Sequence, residues 1–579
     1  MKKTLLLFAA AIMSCVYAMA QWSSNPEESL LIYDAPTDKQ EMLIAPNGNT
    51  WVYYLAPLNN GKGAVGTFVQ LIDSLGNKVL GDDALLVSDY PTRSWNTVNT
   101  CLFVDRDGNA IVTVHDIRNA PETQFLSYTL YKISQEGEFL WGEDGLALEG
   151  TQAFPLTSHF SMTQLDDKSY VCAWGSDSEE TGLFEIKMQR ISPEGEMLWN
   201  IEDVTLSDPE GKVLYTWPTV IDAGMNQAIM IYFKGSNYDM YARKIDFDGM
   251  SVWSEDTRLY RSGWPGSAPA WSFTEVKPSG DGGALVAWTD DRYLEGSATY
   301  VTYVKGNGEI GFAAGVDGQR LSYGDYLGRQ VSCAYDPHTD TFLAVWLEAY
   351  SAVMFRAMAQ RLSKDGELLW GEEGLELHPF TANQYGYFSI QNAPDGQAAF
   401  FYMHNQTSFS STDAGVVLVN TVDPTMRRDF IFTDTDTINP CEKAELRTTA
   451  LHNDSYWNVM WQHDYISQPA LRMQRVNTDL TLGTRTDGAV DAIENQNTTF
   501  SVVADMVQGN TLFAVNNPVA TQAVLNVYDI NGVLVAQVFD GVLDAGKQYV
   551  EWNANVSAGV YLATLTTARG VETVKILVK

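Results

Sequence analysis

Basic residues are scarce in this chain: 37 Lys and Arg stand against 72 Asp and Glu, a formal charge of −35 over 579 residues. Nucleic acid and anionic membrane surfaces both demand a basic footprint, so neither is an expected partner. The acidity itself reads as solubility. Asp434 and Asp436 in a Thr-Asp-Thr-Asp-Thr run offer oxygen ligands for calcium, but without the EF-hand pattern.

Cysteine is nearly absent. Only five occur, and four of them (Cys101, Cys172, Cys333 and Cys441) lie beyond the first twenty residues. They are scattered singly, with no CxxC and no scaffold spacing, so buried, unpaired thiols are expected. Long apolar runs are missing too. The apolar stretch 5–13 is too short to span a bilayer, and no later one is longer.

The signatures of catalysis are also missing. There is no GxSxG, no P-loop, no GxGxxG after a strand and no Cys–His pair in recognisable context. His404 and His463 come from adjacent repeat units, but no HExxH or cysteine accompanies them. No cofactor, no metal and no catalytic residue is assigned from the sequence.

What is present begins with an export signal. Lys2 and Lys3 precede the apolar stretch, and Ala18-Met19-Ala20 supplies small residues for cleavage before Gln21. Residues 1–20 are therefore read as a signal peptide and the protein as extracellular or on the outer cell surface.

The rest is organised by a repeat. The phrase AQRLSKDGELLWGEEGLEL at 359–377 returns as YKISQEGEFLWGEDGLAL at 131–148, QRISPEGEMLWNIEDVTL at 189–206 and RKIDFDGMSVWSEDTRLY at 243–260. Ahead of each lies a second hairpin, in which a Gly/Asp turn leads into an apolar strand ending in an aromatic. Those strands fall at 51–54, 111–114, 171–174, 229–232, 285–288, 343–346, 399–402 and 459–461, their starts 56 to 60 residues apart. A steady period of this length with four short strands (A to D) and no helical pattern describes a β-propeller blade. The expected fold is all-β: an eight-bladed propeller over 25–487, with seven blades as the alternative because the unit around 416–424 is degenerate. Blades are placed near 41–93, 99–154, 159–217, 219–267, 273–325, 331–384, 388–437 and 446–487. Ser29-Leu30-Leu31-Ile32-Tyr33 resembles the end of a blade with no blade ahead of it, and is expected to close the last one. Trp141, Trp199, Trp253 and Trp370 share one position, taken as the start of strand D, and are expected to pack between neighbouring sheets.

The A–B and C–D turns are tight, whereas the B–C and D–A loops are longer and varied. Both variable sets fall on one face, which is the expected binding face. The candidate binding residues there are the aromatics Trp95, Trp217, Trp264, Trp271, Tyr326 and Tyr385, together with Asp290 and Glu348. Aromatics suit stacking on sugar rings or gripping a peptide. Asp290 and Glu348 stand two positions past the strand B aromatic, and Asp116 stands at the same place in its repeat, after Val114. Asp116-Ile117-Arg118 and Asp290-Asp291-Arg292 share an Asp-x-Arg pattern that suits a bracing ion pair. Asp290, Glu348 and Asp116 as an acid/base set would make the protein a glycan-cleaving enzyme, and a structural surface-layer role is a further alternative.

Residues 488–510 read as a polar linker and 511–579 as a small β-sandwich with a hairpin turning at 529–532. Asn517-Pro518, Tyr528-Asp529-Ile530-Asn531-Gly532, Ala558-Gly559-Val560-Tyr561 and the closing Lys575-Ile576-Leu577-Val578-Lys579 stand in order. With these motifs the segment resembles the type A C-terminal sorting domain of type IX secretion substrates. Asn516 stands where that family usually has proline. The resemblance implies the type IX secretion machinery as partner, outer-membrane passage, and release or attachment at the surface. The expectation is a secreted propeller that binds glycan or protein ligands.

Overall fold

The structure is a computed structural model. It describes residues 22–578 apart from 59–64, 91–101, 117, 119–124, 151–158, 179–180, 262–273, 293–296, 323–325, 352–353, 382–384, 406–411, 434–442, 464–468, 485–498, 503–505, 508–509, 518–520, 531, 544–545 and 568–569. The chain divides into two compact units, Met1–Gly483 and Thr484–Lys579. Among the described residues no helix is long and apolar enough to cross a membrane.

The first unit is a β-propeller. Eight antiparallel sheets are described in it, and seven have four strands. The first holds Asp38–Ile44, Thr50–Pro57, Val65–Ile72 and Leu85–Ser88; the sixth holds Leu327–Asp336, Thr341–Ser351, Met354–Leu362 and Leu375–Thr381. Strand B is sandwiched on both faces. Residues Trp51 to Ala56 are all buried, as are Ala284 to Asp290. Apolar side chains from one sheet pack on the next: Leu259 and Tyr260 of the fourth meet Trp288 and Tyr300 of the fifth. This shared burial, at roughly 1.5–3 kcal/mol per large side chain, holds neighbouring sheets together.

The turns follow from their residues. In the A–B turn of the second sheet, Asp105 accepts hydrogen bonds from the backbone N–H of Asp107 and Asn109, at 3.0 and 2.8 Å. Gly108 closes that turn at φ +86°, a conformation that costs glycine little.

The expected closure is present. Leu30–Tyr33 pairs antiparallel with Ala470–Asn477, Leu30 opposite Met473. The sheet this completes packs on the first: Ile32, Met460 and Leu471 share a core with Met42, Val52 and Tyr54. Asn458 Nδ2 donates to Thr50 Oγ1 at 2.8 Å in that buried seam. The same seam contains Trp22, a residue sequence reasoning missed. It is buried, and the Arg475 guanidinium lies 4.8 Å from its ring centre.

Strand D begins later than expected. Leu368 makes only an isolated bridge with Leu362, and a second turn follows, Gly374 N–H donating to the Gly371 carbonyl. Both glycines have positive φ, so the strand restarts only at Leu375. The repeated tryptophan therefore sits in a turn. Its indole N–H reaches the neighbouring sheet: Trp141 donates to the Pro193 carbonyl, Trp199 to Phe247, Trp253 to Gly306 and Trp370 to Thr421, at 3.0–3.2 Å.

The second unit is a two-sheet sandwich. One sheet contains Thr499–Val502, Asn510–Asn517 and Gly546–Asn553. The other contains Met506–Val507, Gly570–Val578, Gly559–Thr567, Thr521–Asp529 and Leu534–Leu543. Phe513, Leu525, Trp552 and Ile576 lie in the core between them. The linker expected over 488–510 is thus too long. Its last residues pair through Thr499 opposite Asn516 and Met506 opposite Leu577, because alternating apolar residues there cover the sandwich core. The hairpin turn forms as expected, with Gly532 N–H donating to the Asp529 carbonyl at 3.0 Å.

Candidate functional site

The loop face of the first unit is built from the last residues of strand B, the first of strand C, the end of strand D and the start of strand A. Three carboxylates stand where strand B ends: Asp116 opposite Ser127, Asp290 opposite Ala298 and Glu348 opposite Arg356. All three are buried, and each holds a guanidinium.

In the fifth sheet Arg292 Nε lies 2.8 Å from Asp290 Oδ1, and Trp288 Nε1 donates to Asp290 Oδ2 at 2.7 Å. The guanidinium carbon stands 3.7 Å from the Tyr300 ring centre and 4.8 Å from Tyr260 on the preceding sheet. Arg118 repeats the arrangement in the second sheet, 2.9–3.0 Å from Asp116 through Nε and 4.2 Å from the Tyr90 ring centre. Burial opposes the charge of Arg292 and Arg118, but the hydrogen bonds each donates to Asp290 or Asp116, together with the nearby negative charge, leave both pKa values raised.

The sixth sheet uses the longer acid. Glu348 accepts from Trp346 Nε1 at 3.0 Å and from Arg356 Nε, across the strand pair, at 2.8 Å. The Arg356 guanidinium carbon lies 4.8 Å from the ring centres of both Tyr326 and Phe380, to one side of the pair. Those two rings lie 4.9 Å apart, and Tyr350 completes the group at 6.2–6.3 Å from both. Tyr350 is 68% exposed, far more than its neighbours. The result is an aromatic platform at the open end of the sheet, in contact with a half-buried ion pair.

The sequence candidates divide accordingly. Tyr326 and Glu348 come together in this platform. Asp290 is a buried anchor on another sheet, so its expected role as a binding contact is corrected: its oxygens are engaged by Arg292 and Trp288. Trp217, expected as an exposed platform, is 8% exposed and packs against Phe233 and Tyr238 at 5.9 and 5.3 Å. Its φ of +48° falls at an irregularity in the pairing of its strand, and the ring joins the core shared by the fourth and fifth sheets. Tyr385 opens a strand opposite His404. Trp95, Trp264, Trp271 and the Tyr385 side chain lie outside the described residues, as do Cys101 and Cys441. Cys172 and Cys333 are buried free thiols, pushed up in pKa by burial.

Sequence reasoning missed Tyr350, Arg356 and Phe380. Each is a single residue whose partners sit on other strands. It also missed a polar cleft of about 430 Å³ at the rim of the third sheet. There the chain reads Trp-Asn-Ile-Glu-Asp-Val at 199–204 instead of Trp-Gly-Glu-Glu-Gly. The segment Ile201–Val204 coils into one helical turn, with Ile201 and Val204 buried. Leu206 pairs with Ile186 as an isolated bridge, so this sheet has three strands where the others have four. Among the described residues, no three His, Cys, Asp or Glu gather as a metal site.

No family model matches this chain, and no curated protein matches it. Solved structures give distant likenesses. The α-L-arabinanase of Penicillium chrysogenum aligns with 55% of this chain and 93% of its own at 15% identity and a TM-score of 0.33. An α-L-arabinofuranosidase of Fusarium graminearum aligns with 56% and 94% at 11% identity and 0.29. The polysaccharide lyase Uly1 aligns with 67% and 92% at 9% identity and 0.41.

Proposed function

We propose that the first unit is an eight-bladed binding module that engages carbohydrate through its loop face. The observation that carries this reading is the platform of Tyr326, Tyr350 and Phe380. An exposed ring held rigid by its neighbours presents a flat π face, and sugar C–H groups stack on such a face. Arg356 braces the platform, since Glu348 neutralises it and its guanidinium contacts both the Tyr326 and the Phe380 ring. An extended peptide is the second class of ligand that such a surface accommodates.

Glycan cleavage by Asp116, Asp290 and Glu348 is not supported by their surroundings. Each carboxylate is committed to a guanidinium on its own sheet, whereas glycosidase chemistry needs two carboxylates facing one bond. We further propose that residues 1–20 direct export and that the second unit is the tag read by type IX secretion machinery. The ordered motifs from Asn517-Pro518 to Lys575–Lys579 support that reading, and it makes the protein a secreted or surface-held one.

A glycan array and titration calorimetry test the binding role with wild-type protein, Tyr350→Ala and Tyr326→Ala. The reading expects glycan binding that falls about tenfold or more in each variant, with unfolding midpoints unchanged for Tyr350→Ala. Wild-type protein that binds no glycan, or binding indifferent to both substitutions, rejects it.

A further inference from the structure

We propose that the cleft at the rim of the third sheet is a second carbohydrate subsite, one that holds a neutral sugar ring by hydrogen bonds instead of stacking. The proposal rests on the carbohydrate reading above and concerns a different sheet with different chemistry.

The volume is the first argument. About 430 Å³ is too large for a bare ion and lies within the range of small-molecule sites, room for one or two sugar rings. A local change lies beside the opening: the helical turn of Ile201–Val204 stands where the second sheet has the Gly142–Gly145 turn and the start of its short fourth strand, leaving Leu206 to pair with Ile186 as an isolated bridge.

The lining is the second argument. No aromatic side chain contributes, and apolar atoms are few. The walls combine carboxylates with hydroxyls, among them Glu149, Glu202, Ser178, Thr181 and Ser207. Glu149 and Glu202 make no side-chain hydrogen bond or ion pair with another described residue, so their oxygens are free to accept. Asp208, by contrast, is spent on the backbone N–H groups of Lys212, Glu210 and Val213, which hold its carboxyl below the usual carboxylate range.

The mixture of donors and acceptors selects the ligand class. A sugar hydroxyl donates and accepts at once, so it uses carboxylates and hydroxyls together. An organic cation needs acceptors only, and it would meet Lys187 in the same wall, 3.5 Å from Glu185. Uronic acids and other anionic sugars are repelled by the surplus of carboxylates. The cleft therefore favours a neutral saccharide with free vicinal hydroxyls.

Ligand-observed NMR on the full chain tests this with three probes: neutral methyl pyranosides and furanosides, glucuronate, and spermidine. The proteins are wild type, Tyr350→Ala, Glu202→Gln and Ser207→Ala. The last two alter separate cleft residues, so misfolding of one leaves the other informative. The proposal expects saturation transfer to a neutral glycoside in wild type and in Tyr350→Ala. It also expects binding weakened roughly fivefold or more in each cleft variant, the loss of a hydrogen bond or two, and little change between low and high salt. Glycoside binding lost in Tyr350→Ala but intact in both cleft variants overturns the subsite and leaves the aromatic platform standing. Binding of spermidine alone, falling with salt, overturns it in favour of a cation site. Glucuronate bound as well as the neutral glycosides overturns the charge argument.

Discussion

The indole of Trp22 lies against Gly76, where a Cβ built on the glycine would come within 3.1 Å of both Cδ1 and Nε1. The same contact recurs between sheets as Trp141 on Gly195, Trp199 on Gly249 and Trp253 on Gly308. Each tryptophan rests on the C–D turn glycine of the next sheet. Trp22 supplies that contact for the last sheet, from the opposite end of the unit. The expected strand Leu30–Tyr33 thus brings its own tryptophan with it.

Trp22→Ala is accordingly expected to destabilise the first unit by about 3–5 kcal/mol, the usual cost of emptying a buried indole site. Urea denaturation followed by tryptophan fluorescence measures it. A loss within about 0.5 kcal/mol, the range of ordinary surface substitutions, would show that Trp22 does not fasten the seam.

Gly142 and Gly195, in successive repeats, separate two effects. Both have positive φ, +96° and +88°, so alanine strains either backbone. At Gly195 the new Cβ also meets Trp141 at 2.9 Å, whereas at Gly142 nothing lies within 4 Å. Gly142→Ala should cost about 1 kcal/mol, and Gly195→Ala about 1–3 kcal/mol more. Equal melting points for the two variants would refute the inter-sheet contact.

Asp290→Asn leaves Arg292 without its charge partner in a half-enclosed aromatic sandwich. A loss of about 3–5 kcal/mol is expected, as for breaking a buried pair on one side. The double variant Asp290→Asn, Arg292→Gln should recover part of it, which a double-mutant cycle reads directly. A fall in glycoside turnover with no change in stability would instead restore the catalytic reading.

Acid sensitivity follows from His115. Burial, then the nearby Lys39 charge, pushes its pKa down to about 3, and its ring stacks on Tyr128 at 4.4 Å. Unfolding restores an ordinary imidazole, so between about pH 6.5 and 3 the unfolded chain binds the extra proton. The neutral ring's contribution is complete above pH 6.5 and is lost as pH falls through that window. His115→Phe keeps the stack and should flatten this part of the stability profile, measured as denaturation midpoints against pH. An unchanged slope would assign the acid sensitivity elsewhere.

Much of this architecture was legible because it depends on local chemistry repeated in register. The Gly/Asp turns, the apolar strand B and the Asp-x-Arg braces each lie within a few residues, so spacing alone exposes them. The platform was only half legible. Tyr326 and Glu348 could be named from their places in the repeat, whereas Arg356, Tyr350 and Phe380 join them through cross-strand pairing. Trp217 misled for a related reason: an aromatic in a variable loop reads as exposed, but positive φ and Phe233 beneath it draw it inward.

The sequence by itself determined the strand order, the turn positions and the strand that closes the last sheet, since alternation and turn residues act over short distances. Tertiary structure decided which side chains face solvent and which are anchors. That choice depends on neighbours contributed by other strands and other sheets, which no local pattern of turns and alternation specifies.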